Sequence, residues 1–173
     1  MNLSRQLLAS NNENSLYYDL LRQIQEIDPS KEGGNQKMVE FFDQLEKEYP
    51  NSSNIRRTRL IYVSNEDFVK RIDTYIRPYF IKGLPAIFSE IKGILNTKER
   101  QTAFEQLLLA HEKSLAEKGT FNGETEVQSP CPLLWCYMVL AQLYDHMKKY
   151  DTAMEYIEKV YATALFGGLA NVF

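Results

Sequence analysis

Apolar side chains recur every three or four residues along almost the whole chain, and this spacing restricts the fold more than any other feature. The first stripe runs from Leu16 to Ile27. Side chains at this spacing share one face of an α-helix. Only 8 glycines and 6 prolines interrupt the 173 residues, so long helices are possible. The sequence predicts an all-α protein of seven helices, over residues 14–27, 36–49, a segment that opens at Ser64, 84–95, about 97–118, 133–148 and 150–165.

Local signals predict where several of these helices begin and end. Ser64 and Asp67 have the spacing of a capping box, in which both side chains bind free amides at a helix start. Thr97 is expected to cap the helix over 97–118. Pro78 predicts a kink or an end near Arg77, because proline removes a helical hydrogen bond. The segment before Ser64, Leu60-Ile61-Tyr62-Val63, is predicted to be extended.

Charge and cysteine content exclude several classes of protein. The net charge is −3, which gives no general attraction for nucleic acid. Cys131 and Cys136 are too few for a disulfide scaffold, and their spacing without further ligands does not suggest zinc. The most apolar run, residues 133–141, has about half the length that a bilayer requires. The first residues lack the apolar core of a signal peptide, so a cytoplasmic protein is expected.

The last two predicted helices, 133–148 and 150–165, fit the tetratricopeptide pattern. Ala141 and Ala153 are small, as expected where two antiparallel helices cross closely. The predicted repeat core consists of Tyr137, Leu140, Ala141, Tyr144, Tyr150, Ala153, Ile157 and Val160. One such unit cannot bury its own apolar faces, so repeats stack. We therefore expect antiparallel helix pairs stacked as a right-handed superhelix.

This pattern predicts one α-helical solenoid segment over residues 1–173. Its parts are a helix pair over 14–49, a helical middle region over 55–118, an exposed loop over 119–132, the repeat over 133–165 and a divergent tail over 166–173. The two ends of the chain have the appearance of cuts in a longer solenoid. The apolar faces exposed at such cuts would favour self-association.

Motifs for chemistry are missing from the sequence. It contains no P-loop, dinucleotide fingerprint, zinc-protease helix, nucleophile elbow or glycine-bearing acyl-CoA turn. His111 and His146 are expected to have structural roles, since neither is paired with a catalytic motif. We predict no catalytic residue, cofactor or metal site. An enzyme with an unrecognised site, centred on His111, is the least favoured alternative.

The middle region carries a local excess of positive charge. Residues 55–82 contain seven bases against three acids. They could form a patch for an acidic partner, RNA phosphate or inositol phosphate; alternatively they pair with neighbouring acidic helices on a solvated face. The candidate patch consists of Arg56, Arg57, Arg59, Lys70, Arg71, Arg77 and Lys82.

Several segments resemble, in the same order, the large auxiliary subunit of the N-terminal acetyltransferase A complex. The similar stretches are Asn14-Ser-Leu-Tyr-Tyr-Asp-Leu-Leu, Phe42-Asp-Gln-Leu-Glu-Lys-Glu-Tyr-Pro, Arg57-Thr-Arg-Leu-Ile-Tyr-Val through Phe68, Tyr75 to Lys92, Leu133 to Asp145 and Ala153 to Ile157. Lys82-Gly-Leu-Pro-Ala-Ile-Phe is the most specific of them. The resemblance covers about residues 5 to 162, and the last eleven residues do not fit it.

The resemblance implies a non-catalytic tetratricopeptide scaffold. Subunits of that family wrap the catalytic acetyltransferase and hold it near the ribosomal exit tunnel. Acetyl-CoA and the catalytic residues would then belong to the partner, and ribosomal RNA would be the only nucleic acid contacted. The alternative function is a general tetratricopeptide adaptor that binds a peptide or an acidic partner.

Overall fold

The computed structural model describes residues 13–28, 31–82, 85–118 and 131–166. These residues form eight α-helices and one 3-10 turn, with no strand among them, which confirms the all-α class. The helices are α1 Glu13–Ile27, α2 Gly34–Glu48, α3 Ser53–Tyr62, α4 Asn65–Lys82, α5 Pro85–Ile91, α6 Lys98–Lys118, α7 Cys131–His146 and α8 Tyr150–Phe166. The 3-10 turn Lys92–Ile94 follows α5 directly. No described helix combines the length and the apolar character needed to cross a bilayer.

The chain forms two compact units, Met1–Asp67 and Phe68–Phe173, and the boundary lies in the first turn of α4. The prediction of a single solenoid segment stays a prediction.

In the first unit, α2 packs against both α1 and α3. Its core contains Leu20 and Ile24 from α1 and Met38 and Phe42 from α2, all of them buried. Gly33 precedes α2 with φ of +74°, a left-handed conformation that favours glycine over residues with a side chain. The turn can therefore reverse the chain and bring α2 back onto α1.

In the second unit, α7 is covered on several sides, as its apolar sequence predicts. It packs against α5, α6 and, most extensively, α8. The turn between α7 and α8 is short, and Lys148 in it has φ of +60°. Its amide bonds the Asp145 carbonyl at 2.9 Å and the Lys149 amide bonds the Tyr144 carbonyl at 2.8 Å. These bonds close the end of α7 and reverse the chain, so that α7 and α8 are antiparallel neighbours.

The prediction of an extended segment over residues 60–63 is wrong, because α3 continues to Tyr62. Its β-branched residues favour a strand, but burial at helical spacing decides the conformation. Ile55 and Leu60 are buried, and the Ser52 hydroxyl accepts the Ile55 amide at 3.3 Å as an N-cap.

Helix α4 does not end near Arg77, since it runs through Pro78 to Lys82, and the alternative prediction of a kink there stays a prediction. Pro78 withholds a hydrogen bond from the carbonyl of Thr74, and both residues are exposed. Water can bind that carbonyl, so the missing bond does not end the helix.

Other boundaries are close to prediction. The Ser64 hydroxyl accepts the Asp67 amide at 3.3 Å, and the Thr97 hydroxyl accepts the Arg100 amide at 3.3 Å, so both predicted hydroxyl caps are confirmed. Helix α7 begins at Cys131, two residues before the predicted start. Of the predicted loop 119–132, residues 119–130 lie outside the described part, as do residues 167–173 of the predicted tail.

Candidate interaction surfaces

The predicted repeat core is reproduced only in part by the positions of its side chains. Four of its residues are buried, namely Leu140, Ala141, Tyr144 and Ala153. Three more are partly buried: Tyr137, Ile157 and Val160. Tyr150 does not belong to the core, because it is 59% exposed. It is the first residue of α8 and shares a helix face with Met154 and Tyr161, which are also exposed.

Tyr156 is not among the predicted core residues, yet it is buried at the centre of a cluster of aromatic rings. Its ring stacks on Tyr144 with centroids 5.5 Å apart and lies 5.9 Å from the ring of Tyr137. Tyr156 follows the predicted core residue Ala153 by three positions and precedes Val160 by four. That helical spacing is the signal that would have identified it.

Glu112 on α6 makes two contacts with α8, both beside this aromatic cluster. The Tyr156 hydroxyl donates to Glu112 Oε2 at 2.9 Å, and Lys159 Nζ lies 3.3 Å from Glu112 Oε1. The same ammonium lies 4.1 Å from the ring centroid of Tyr156 and 5.3 Å from that of Tyr137. The lysine is therefore bound both by a carboxylate and by two aromatic faces.

A looser pair joins α6 to Lys149, the residue that precedes α8. Lys149 Nζ lies 3.6 Å from Glu105 Oε1 and 5.5 Å from the ring centroid of Tyr144. Residue numbers rise in the same direction on both helices from this pair to Glu112 and Lys159. Helices α6 and α8 consequently run parallel, with the antiparallel α7 packed against both.

Three phenols around Glu112 are held in their neutral form. Burial raises the pKa of Tyr156, and Glu112 raises it further. Burial also raises the pKa of Tyr144, and Glu105 and Glu112 raise it further. Burial also raises the pKa of Tyr137. At neutral pH the Tyr156 hydroxyl therefore donates to the Glu112 carboxylate.

A second group of phenols joins α4 to α5. The hydroxyls of Tyr79 and Tyr75 both donate to Glu90 Oε2, at 2.7 Å and 3.2 Å. Burial, followed by the effects of Tyr79 and Glu90, raises the pKa of Tyr75. One carboxylate thus fixes two aromatic side chains on the neighbouring helix.

In the first unit, Arg59 is the centre of a buried ionic network and not part of a surface patch. Its side chain is 1% exposed. It donates from Nε and Nη2 to the two oxygens of Asp67, at 2.9 Å and 3.0 Å, and from Nη1 to Asp43 Oδ1 at 2.7 Å. Glu46 Oε2 lies 3.4 Å from the same Nη1. The Asp67 carboxylate predicted to cap helix amides forms this bidentate pair instead.

Burial lowers the pKa of Arg59, but the hydrogen bonds from Asp67 and Asp43 and the charges of Asp67 and Glu46 outweigh it, so the pKa is raised overall. The guanidinium keeps its charge throughout the accessible pH range.

The other residues of the predicted patch differ in their exposure and in their contacts. In the first unit, Arg57 is exposed and Arg56 donates to the Pro50 carbonyl at 2.7 Å. In the second unit, Lys70 is exposed, Arg71 is partly buried, and Arg77 pairs with Asp73 at 2.6 Å. The side chain of Lys82 lies outside the described residues. The exposed candidates on α4 are therefore Lys70 and Arg77.

Helix α8 also carries an apolar stripe that faces solvent. Tyr150, Met154 and Tyr161 are exposed and Ile157 between them is partly buried. We call these four residues the outer stripe of α8. Their spacing places them on one face of the helix, away from the buried Ala153 and Tyr156.

The residues examined for chemistry have structural contacts. His146 Nε2 lies 3.3 Å from the Leu95 carbonyl oxygen, near the C-terminus of α7, and its ring meets the Phe88 ring edge-on. His111 is partly buried on α6. Cys136 is buried, its thiol donates to the Leu108 carbonyl at 3.5 Å, and burial raises its pKa to about 12, which makes it a poor nucleophile. Across the described ranges, no three potential ligands among His, Cys, Asp and Glu come together as a metal site.

Comparison with known proteins identifies the family. A sequence model of the family described as N-terminal acetyltransferase A, auxiliary subunit, matches residues 1–164. The chain is 29% identical over 166 residues to the N-terminal acetyltransferase A complex auxiliary subunit NAA15 of Arabidopsis thaliana, covering 92% of this chain and 18% of that protein. It is 31% identical over 163 residues to N-alpha-acetyltransferase 16, NatA auxiliary subunit, of Mus musculus, with the same coverage of 92% and 18%. The chain spans less than a fifth of the length of these relatives. It belongs to the family of auxiliary subunits of N-terminal acetyltransferase A.

Proposed function

We propose that this chain is part of a non-catalytic scaffold that binds the catalytic subunit of an N-terminal acetyltransferase. The scaffold positions that subunit at the ribosome, in the cytoplasm, for acetylation of nascent protein N-termini. The family match over residues 1–164 carries this proposal, supported by relatives that are named auxiliary subunits.

The arrangement of α6, α7 and α8 suits such a role. A scaffold needs helices that keep their relative positions while their outer faces bind other molecules. The hydrogen bond from Tyr156 to Glu112 connects α8 to α6, the Glu105–Lys149 pair connects the start of α8 to α6, and α7 packs against both helices. Repetition of this arrangement would generate the right-handed superhelix expected from the sequence.

The exposed bases of α4 supply a candidate contact with ribosomal RNA. Lys70 and Arg77 are seven residues apart and therefore lie on the same helix face. We propose that they contact RNA phosphates, although the Asp73 partner of Arg77 reduces the local charge. Arg59 is excluded from this contact by its burial.

Co-expression with the catalytic acetyltransferase subunit of the same organism tests the first proposal. We expect the two chains to co-elute from size-exclusion chromatography as a one-to-one complex. Separate elution at micromolar concentrations, with the chain still helical by circular dichroism, would contradict it.

Ribosome contact is tested by co-sedimentation of this complex with ribosomes at several salt concentrations. The double variant Lys70→Glu/Arg77→Glu should sediment less and retain the catalytic subunit. Lys98→Glu, at an exposed position on α6, is the matched control. Equal sedimentation of all three proteins would exclude α4 as the RNA contact.

A further inference from the structure

The contacts of Lys159 define a small site whose walls do not depend on the lysine itself. Glu112 Oε1 lies 3.3 Å from the ammonium, and the rings of Tyr156 and Tyr137 lie 4.1 Å and 5.3 Å from it. We call these three walls the ammonium seat. A carboxylate beside aromatic faces is a chemical environment that attracts cations, and here it contains one.

The walls of the seat are held by contacts with one another and with α7. The Tyr156 hydroxyl is bound to the second oxygen of Glu112 at 2.9 Å, and the Tyr156 ring stacks on that of Tyr144. Tyr156 is buried, and the Glu112 side chain is 17% exposed with the lysine present. A cation that leaves the seat therefore leaves a preformed site behind.

Lys159, in contrast, is held weakly. Its side chain is 45% exposed and extends from α8 on four rotatable bonds. Ion pairs at this exposure contribute little to stability, because water solvates the separated ammonium well. The lysine can leave the seat without disturbing the fold of α6, α7 or α8.

We propose that the seat is a binding site for a primary ammonium group of another polypeptide, and that Lys159 occupies it as an intramolecular competitor. The partner group is a lysine side chain or a free N-terminus, which share the same –NH₃⁺ chemistry. The seat selects ammonium because it presents two ring faces and one carboxylate oxygen. The assignment rests on the contacts of the seat and not on the proposed function of the chain.

The competition has a measurable consequence. A tethered competitor lowers the fraction of unoccupied sites. The apparent affinity for an external ligand is reduced in proportion to that fraction. Replacing Lys159 by glutamine removes the charge but keeps much of the stem. The seat of the Lys159→Gln variant should bind external ammonium groups at concentrations at least fivefold lower than the seat of the wild type.

The test uses the 173-residue chain with isotope-labelled tyrosine rings, observed by NMR. N-acetyl-lysine methylamide and glycinamide are titrated separately, at constant ionic strength, and N-acetyl-glutamine methylamide serves as the neutral control. In Lys159→Gln we expect saturable shifts at Tyr137 and Tyr156 with either ammonium and none with the neutral compound. The tighter-binding compound identifies the partner group as a side chain or an N-terminus.

Two further variants separate the seat from general effects of charge. Lys159→Gln/Glu112→Gln should lose saturable binding, because the carboxylate wall becomes neutral. Lys149→Gln removes a similar charge from the residue just before α8 but should leave the Tyr156 titration as in the wild type. Lys159→Met repeats the experiment with an unbranched side chain if the glutamine variant is unstable. Absence of saturable shifts in helical Lys159→Gln or Lys159→Met protein, or an unchanged midpoint, would overturn the proposal.

Discussion

Arg59 in the first unit and Lys159 in the second are both cations bound by carboxylates from other helices, yet the two contacts differ in kind. Arg59 is 1% exposed and makes a bidentate bond with Asp67 plus a bond with Asp43. Lys159 is half exposed and touches one oxygen of Glu112. The planar guanidinium fixes the direction of several bonds at once, whereas an ammonium is a point charge on a mobile stem. The Arg59 contacts therefore help to determine the fold of the first unit, whereas the Lys159 ammonium can be replaced by another cation.

The largest expected effect follows from removing the buried cation. Arg59→Met keeps much of the side-chain volume but leaves Asp67 buried without its two bonds. Breaking a buried pair in this way costs about 3 kcal/mol in the free energy of unfolding. Urea denaturation of the variant and of the wild type measures this difference.

Arg57→Met on the same helix is the matched control, because Arg57 is exposed. We expect its free energy of unfolding to change by less than about 0.5 kcal/mol. If the free energy of unfolding of Arg59→Met fell by less than about 1 kcal/mol, the ionic network of Arg59 would not determine the fold of the first unit.

Alkaline pH should weaken the second unit. The Cys136 thiol has an ordinary pKa of 9.0, raised by burial to about 12 in the fold. Between these values the unfolded chain has lost the proton that the folded chain keeps, so the stability present below pH 9 decreases as pH rises to 12. The raised pKa values of Tyr75, Tyr144 and Tyr156 act in the same direction above pH 10.

Comparison of the wild type with Cys136→Ala at pH 7 and pH 10 isolates the contribution of the thiol. At pH 10 its contribution to the loss of unfolding free energy is about 1 kcal/mol. Cys136→Ala is less stable at both pH values because of the cavity, but it should lose about 1 kcal/mol less than the wild type between them. An identical loss in both proteins would assign the alkaline effect to the tyrosines alone.

Tyr156→Phe should lower the free energy of unfolding by as much as ionisation of the Cys136 thiol does at pH 10, or by less. The variant keeps the stacked ring but removes the hydroxyl that donates to Glu112, a loss of about 1 kcal/mol in the free energy of unfolding. Thermal unfolding followed by circular dichroism measures it. Tyr161→Phe on the exposed face of α8 is the control, and an equal loss there would show that the Glu112 bond contributes nothing.

The same comparison shows which features a sequence can predict. Caps and helix stripes are local, and the hydroxyl caps of Ser64 and Thr97 were predicted because their partners lie three residues away. For Arg59 the sequence leaves open a surface patch or pairing with acidic helices, because its carboxylate partners come from three separate positions. Asp43 lies sixteen residues before it, Asp67 eight residues after it, and the fold alone brings them together.

Local preference predicts the wrong conformation at the end of α3. Ile61, Tyr62 and Val63 favour an extended backbone when taken alone. The structure keeps helix as far as Tyr62 because Leu60 and Arg59 must both point into the first unit, which a helix achieves on one broad face. The Glu112 cluster of α6 and α8 could not be predicted for a similar reason, since its two helices are separated by the whole of α7.

The smallest change in unfolding free energy is expected on the outer stripe of α8. Tyr161→Glu/Met154→Glu places two charges on an exposed face, and the cost should be within about 0.5 kcal/mol of zero. Its effect on association should nevertheless be clear, because exposed apolar stripes promote contact between molecules and like charges oppose it. Light scattering of the wild type should rise more steeply than in proportion to concentration, whereas the double variant should scatter as a monomer. Lys98→Glu, which reverses a charge elsewhere on the surface and changes the net charge by the same two units, should associate as the wild type does. If it also becomes monomeric, net charge and not the stripe controls association, and the second unit would have no apolar contact surface on α8.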